Sequence, residues 1–255
     1  MNKSNKTQGE KKMLSKITKT MLLVAVLVVA LSIFPLAYGQ QTGASVTNVS
    51  SSTKTASSPG WNNGTKGYIH TLGLSAEQQD LKWKAYVGNV SSTFVLDDSS
   101  DYSIYQWTLD SFSGQIYITR DNSATWASVV CASAANKATE DTVIGHNSQA
   151  ADSVNRTFSQ QIHKNLTVGV TLIGNNTCFS TVTWQNDANH QLNSSAPWQE
   201  ILLWDGADMI YTAFVENDKI GYRGDSTTYD FQAIVPENGT TSAPNFRYFF
   251  YLELS

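Results

Sequence analysis

Two short acidic turns and a scatter of single ionisable residues are the places where this sequence could do chemistry. Asp97, Asp98 and Asp101 fall in one turn, and Asp205 and Asp208 in another. Oxygen-rich turns of this kind can hold calcium, which takes about six to eight oxygen ligands. Asp and Ser are also favoured in turns because their side chains bond the backbone two residues on. The spacing does not match an EF-hand loop, so the acids read first as hairpin tips and only secondarily as a stabilising calcium site. No other cofactor is indicated. Glu200 and Glu216 lie in strand-like runs and are the carboxylates that could pair across distant strands, as glycosidase acids do. His70, His146, His163 and His190 are far apart, with no zinc-type spacing. No Gly-x-Ser-x-Gly elbow, His-Glu-x-x-His helix or phosphate loop occurs. Trp126, Trp184, Trp198 and Trp204 are candidates for stacking on sugar rings, against a competing role at alternating core positions. Arg223-Gly224-Asp225 spells an adhesion tripeptide and reads here as a turn between two strands.

The remaining covalent chemistry concerns compartment. Cys131 and Cys178 are the two cysteines. In an exported chain they pair, the alternative being two free buried thiols. Asn-x-Ser/Thr acceptors stand at Asn48, Asn63, Asn89, Asn155, Asn165, Asn175, Asn193 and Asn238, none with proline between. Several fall in turn-like strings, where a sugar would be in water; the alternative is an asparagine-rich surface without glycans.

Export is written in the first residues. Met21 to Phe34 is an apolar run of about 14 residues, short of the roughly 20 needed to span a bilayer. A basic segment precedes it and Ala37-Tyr38-Gly39 follows. Residues 1–39 read as a secretory signal cleaved to leave Gln40 first, or else as an uncleaved N-terminal anchor. Either puts the body outside the cytoplasm, extracellular or at the cell surface, with membrane contact only through this segment if it stays. Lys3, Lys6, Lys11, Lys12, Lys16 and Lys19 precede the run, opposed by Glu10. Without these, the 17 basic and 21 acidic residues fall to 11 and 20, a net charge of −9. So acidic a body argues against nucleic acid and anionic lipid.

The elements that must position these residues are strands. Residues 40–60 are Ser/Thr-rich and read as a stalk or an extended arm, which could also donate a strand to a neighbouring subunit. The ectodomain spans 61–255. In WKAYVGNVSSTFVLDD, Gly88-Asn89 reads as a two-residue hairpin turn that sets Trp83 opposite Phe94. Further strands are expected at 102–107, 114–119, 124–130, 166–173, 177–184, 200–205, 209–216, 219–224, 229–235 and 247–254, the last as a central strand. Turn-rich strings separate them, which points to an all-β antiparallel sandwich, jelly-roll or Ig-like. Ser133 to Ser159 breaks the rhythm and reads as one or two short helices or a long cross-over. LDDSSDYSIY and LWDGADMIY both place Asp-x-x-Asp before Ile-Tyr, which suggests two related hairpins.

The string WKAYVGNVSSTFVLDD, with IYQW, GQIYITR, Cys131 and the closing YFFYLEL, resembles a group of exported archaeal proteins of unassigned function. They share a W-x-x-Y-x-G-N-V hairpin near the start of the ectodomain. The resemblance covers Lys82 to Cys131 and the last strand. It implies an archaeal surface protein with a β-rich ectodomain and carries no catalytic residues. The functional expectation is a non-enzymatic, glycosylated structural protein, a filament or envelope-layer subunit that self-assembles or joins other envelope components. The alternatives are a carbohydrate-binding or adhesion module and, behind it, a secreted glycoside hydrolase.

Overall fold

Short runs of β-branched and aromatic residues, bounded by Gly, Asp and Asn, form fifteen strands among the described residues of the computed structural model. It describes residues 41–108, 113–184, 193–240 and 243–254. The export segment lies outside them, and the chain divides into Met1–Tyr38 and Gly39–Ser255. In chain order the strands are β1 (Thr42–Gly43), β2 (Trp83–Gly88), β3 (Phe94–Asp97), β4 (Ser103–Trp107), β5 (Gly114–Thr119), β6 (Val130–Cys131), β7 (Leu166–Val168) and β8 (Thr171–Ile173). There follow β9 (Ser180–Val182), β10 (Gln199–Trp204), β11 (Met209–Val215), β12 (Lys219–Ile220), β13 (Thr228–Tyr229), β14 (Phe231–Pro236) and β15 (Phe249–Leu254). Two helices, α1 (Ala134–Ile144) and α2 (Val154–Thr157), lie between β6 and β7. The molecule is an all-β antiparallel sandwich with a small helical insertion.

Its centre is a seven-stranded sheet in the order β1-β15-β5-β11-β10-β6, with β9 also pairing β10. All seven residues of β11 are buried, because side chains alternate between faces and both faces are covered. Ile116, Ile118, Leu202, Tyr211 and Ala213 pack on one side against β2, β14, α1 and α2. Tyr117, Ile201, Leu203, Ile210 and Phe214 pack on the other against β7, β8, Val129 and Cys178. Gly114 begins β5 at φ +153°, and a Cβ there would meet the Glu253 carbonyl at 2.0 Å, so only glycine lets β15 close onto β5.

Several local expectations change. Gly88 and Asn89 do not form a hairpin tip, so the W-x-x-Y-x-G-N-V string is not a hairpin. Neither residue has the positive φ such a turn needs. Instead β2 pairs with β14, setting Trp83 opposite Pro236, and Phe94 pairs with Trp107. Asp230, next to β14, fixes this arrangement: its N–H donates to the Gly88 carbonyl at 2.9 Å and its carboxylate accepts the Val90 N–H at 2.7 Å. Residues 124–130 are not a strand but a 3₁₀ turn (Trp126–Ser128) leading into β6. The Asp205 carboxylate accepts the Thr125 N–H, and Ser128 Oγ donates to the Asp205 carbonyl. Residues 166–173 are a hairpin rather than one strand, because Gly169 at φ +58° reverses the chain between β7 and β8. The run at 219–224 keeps only two strand residues, β12. The final strand has β5 on one side and only two-residue β1 on the other.

Helix α1 begins at a capping box in which the Ser133 hydroxyl accepts the Asn136 N–H and the Asn136 side chain accepts the Ser133 N–H. It ends at Gly145 in the left-handed region, φ +80°. Its buried stripe is Lys137, Glu140, Asp141 and Ile144, spaced as one helical face but mostly charged. Each charge is answered. Lys137 donates to the Phe158 carbonyl at 2.8 Å and lies over the Phe179 ring. Asp141 accepts the Val154 and Asn155 N–H groups that open α2. Glu140 receives a two-pronged Arg120 guanidinium at 2.5 and 2.7 Å and the Tyr211 hydroxyl at 2.9 Å.

Candidate interaction surface

The β3–β4 hairpin carries a run of apolar side chains that the fold leaves in water. Every residue of both strands is exposed. Phe94, Val95, Leu96, Ile104, Tyr105 and Trp107 are between 40% and 80% exposed. Pairing of Phe94 with Trp107 and Leu96 with Tyr105 puts these four on one face. The Tyr105 and Trp107 rings stand 4.8 Å apart, tilted. A bulge between Leu96 and Asp97 re-aims the tip. The tip acids are turn formers: Asp98 Oδ1 accepts the Ser100 and Tyr102 N–H groups, and Asp97 accepts the Ser103 hydroxyl at 2.5 Å. Asp101 takes the left-handed conformation, φ +63°.

Asp205 plays the same part in the β10–β11 turn, its Oδ1 accepting from Ala207 and Asp208. Burial works to raise the Asp205 pKa. The backbone N–H donors of Asp208, Ala207 and Thr125 overrule it and hold the carboxyl below its usual range. So the shared Asp-x-x-Asp strings both mark hairpin turns. Among the described residues no three His, Cys, Asp or Glu side chains group as a metal site; of the calcium candidates, Asp97 and Asp98 bond the turn through their carboxylates, and the Asp101 N–H donates to the Asp98 carbonyl at 3.1 Å.

The tryptophans singled out for sugar stacking are turned inward. Trp198 is fully buried and donates to the Ile220 carbonyl at 3.1 Å. Trp126 is half-buried between Tyr117 and Tyr251, at 5.1 and 5.0 Å, and Trp184 and Trp204 are half-buried. Rings that do reach water include Tyr105 and Trp107 on the hairpin, whose strands were expected in the core sandwich, and Trp61, Tyr68 and Tyr222 elsewhere. Arg223 and Asp225 are half-exposed and lie 3.5 Å apart across a turn at Gly224, φ +66°. Six of the sequon asparagines, Asn48, Asn63, Asn89, Asn165, Asn175 and Asn193, are exposed, whereas Asn155 and Asn238 are half-buried. Cys131 and Cys178 form a disulfide, Cα–Cα 4.9 Å, as fits an oxidising compartment. Among the described residues no helix is long and apolar enough to cross a membrane.

The two strand carboxylates have separate fates. Glu216 pairs with Lys164. Glu200 is fully buried and accepts the Ile234 N–H at 3.0 Å. Burial pushes its carboxyl well above the ordinary range, with the Ile234 N–H pulling the other way. Glu200 is therefore a neutral acid in the layer interface. In the unfolded chain it ionises from about pH 4.3, so its folded form holds the extra proton and stability falls as pH rises past that point. Glu200→Gln is expected to leave the melting temperature nearly unchanged at pH 4 and to stabilise the protein by roughly 1–3 kcal/mol at pH 7.5. Calorimetry at the two pH values checks this, and an equal change at both would contradict it.

Comparison of the chain with protein-family models, with curated proteins and with solved structures returned no match.

Proposed function

We propose that this chain is a non-enzymatic, glycosylated structural protein of the cell exterior, a subunit whose copies meet through the β3–β4 hairpin. The exposed hairpin carries the reading. A two-stranded ribbon alone is marginal in water. Uncovered apolar patches mark interaction sites, and free strand edges pair with other chains. A second copy offers the same edge and the same apolar face, so two hairpins can satisfy one another across a two-fold axis. The acidic tip and the net negative body disfavour an anionic lipid surface as the partner. The disulfide and the exposed sequons support an extracellular setting, filament or envelope layer, in keeping with the archaeal surface proteins the chain resembles.

The test is sedimentation of the wild-type chain and of Leu96→Asp, a substitution on that apolar face at a 56%-exposed site that leaves the core alone. Wild-type protein is expected to associate as concentration rises, and the variant to need at least tenfold more protein. A wild type that stays monomeric throughout would overturn the reading. A carbohydrate-binding module is the second reading, favoured by the adjacent exposed Tyr105 and Trp107 rings. A monomer that binds an immobilised glycan and loses it on Trp107→Ala would establish that reading instead.

A further inference from the structure

The edge of the central sheet at β15 is closed by very little chain. Thr42 and Gly43 pair with Leu252 and Tyr251, and the Ala44 N–H donates to the Phe250 carbonyl at 2.9 Å. Gln41 adds one side-chain bond, donating to Glu253 at 2.7 Å. Every residue of the arm from Thr42 to Leu81 is exposed. Between arm and sheet lies a shallow groove of about 340 Å³, lined by Val46 and Asn122 and by Phe249, Phe250 and Tyr251 of β15.

The receiving side is better built than the donating one. Glu253 is 5% exposed. It is already held by the Tyr117 hydroxyl at 2.7 Å and the Gly169 N–H at 2.9 Å. These two bonds fix its carboxylate at the sheet edge, ready for the Gln41 amide. The β15 backbone is anchored along its whole length to β5. The acceptor is thus rigid, whereas the donor is the end of a long extended segment.

We infer that β15 receives the Gln41–Ala44 strand of a second copy of this chain, exchanged for its own. The exchange rests on the structural-subunit reading and names the contact that would propagate it. Some 39 residues separate β1 from β2, a coil with an r.m.s. span of roughly 35 Å and a fully extended reach of about 130 Å. An arm can therefore cross to a neighbour without strain. The swapped pair makes the same hydrogen bonds as the closed one, so the choice is set by concentration. An arm's own effective concentration is in the millimolar range, which packed subunits at a surface exceed. Each copy then gives one arm and receives another, which closes a dimer when the exchange is reciprocal and builds open chains when it runs head to tail.

The test uses the register. Full-length chains carrying Thr42→Cys and Leu252→Cys are made separately tagged in one host, and the exported protein is isolated under mild oxidation. A disulfide between the two differently tagged chains, at a yield that grows with protein concentration, is expected. The double variant on a single chain should give ladders in assembled material. If mixed chains never cross-link and the double variant closes only within itself, the exchange is wrong. Imaging the same samples separates the two proposals. Extended assemblies with only internal cross-links would retire the exchange and leave the subunit reading standing. Interchain cross-links confined to closed dimers would uphold the exchange and retire the subunit reading.

Discussion

Glu140→Ala is expected to cost about 3–5 kcal/mol of folding stability, the range for removing one partner of a buried ion pair. Glu140 is 3% exposed and pairs with the Arg120 guanidinium, which is itself largely buried and lies over the Phe246 ring. Burial alone would lower the Arg120 pKa. The bidentate hydrogen bonds and charge of Glu140 override that and hold it above its usual value. Without Glu140 the cation stays charged with nothing to neutralise it, and the Tyr211 hydroxyl loses its acceptor in the core. The damage is an orphaned charge rather than a missing contact. Replacing both partners together, with Arg120→Met and Glu140→Leu, is therefore expected to destabilise by much less than Glu140→Ala alone. Urea denaturation of the three variants measures this. A single-variant loss below about 1 kcal/mol would mean the pair is solvated and the α1 face is not a buried element.

The second large effect concerns the bridge between Cys131 and Cys178. It joins residues 47 apart in sequence and encloses α1, α2, β7 and β8. One end lies in β6, which holds the sheet by two residues opposite Leu203 and Trp204. Closing a loop of this length restricts the unfolded chain by about 4 kcal/mol in the chain-entropy treatment. Cys131→Ala with Cys178→Ala should lose most of that, read as a drop in the denaturation midpoint. Cys178 is fully buried, so losing its sulfur adds a small cavity to the cost. A change below about 1 kcal/mol would show that the loop is already ordered in the unfolded state.

The central strands were legible because their composition and their surroundings agree. β5, β10 and β11 are apolar, aromatic and bounded by turn residues, and they fold within a residue of where the runs place them. The failures share one cause: the deciding partner is distant or polar. Trp83–Gly88 looks like half of a local hairpin, but its partner β14 begins at Phe231. Asp230, which clamps the end of β2, gives no sign of that in its own neighbourhood. Residues 124–130 have strand composition, yet the Asp205 carboxylate some 80 residues on captures the Thr125 N–H and imposes a 3₁₀ turn. Helix α1 was legible only as a break in the strand rhythm, one or two short helices or a cross-over, since its inward stripe of Lys137, Glu140 and Asp141 shows no hydrophobic period. Its burial is possible only because Arg120, Tyr211, the Phe158 carbonyl and the α2 N-terminus wait for those charges.

The interaction surface was half legible. The runs at 94–97 and 102–107 read as strands, and the acids between them as a tip. What composition could not show is that none of the described residues covers them. Exposure depends on where β3 and β4 leave the body, and that follows from the β2–β14 pairing the sequence hides. The arm was open to two readings from its composition, stalk or donated strand. Its first residues add to a sheet edge, and 44–81 remain exposed.

Electron microscopy of the protein taken from the surface of its native host puts the structural-subunit proposal to the most direct trial. Regular filaments or a lattice with one repeating body, dispersed by Leu96→Asp, is the expected picture. Isolated single particles at every concentration, unchanged by that substitution, would contradict it.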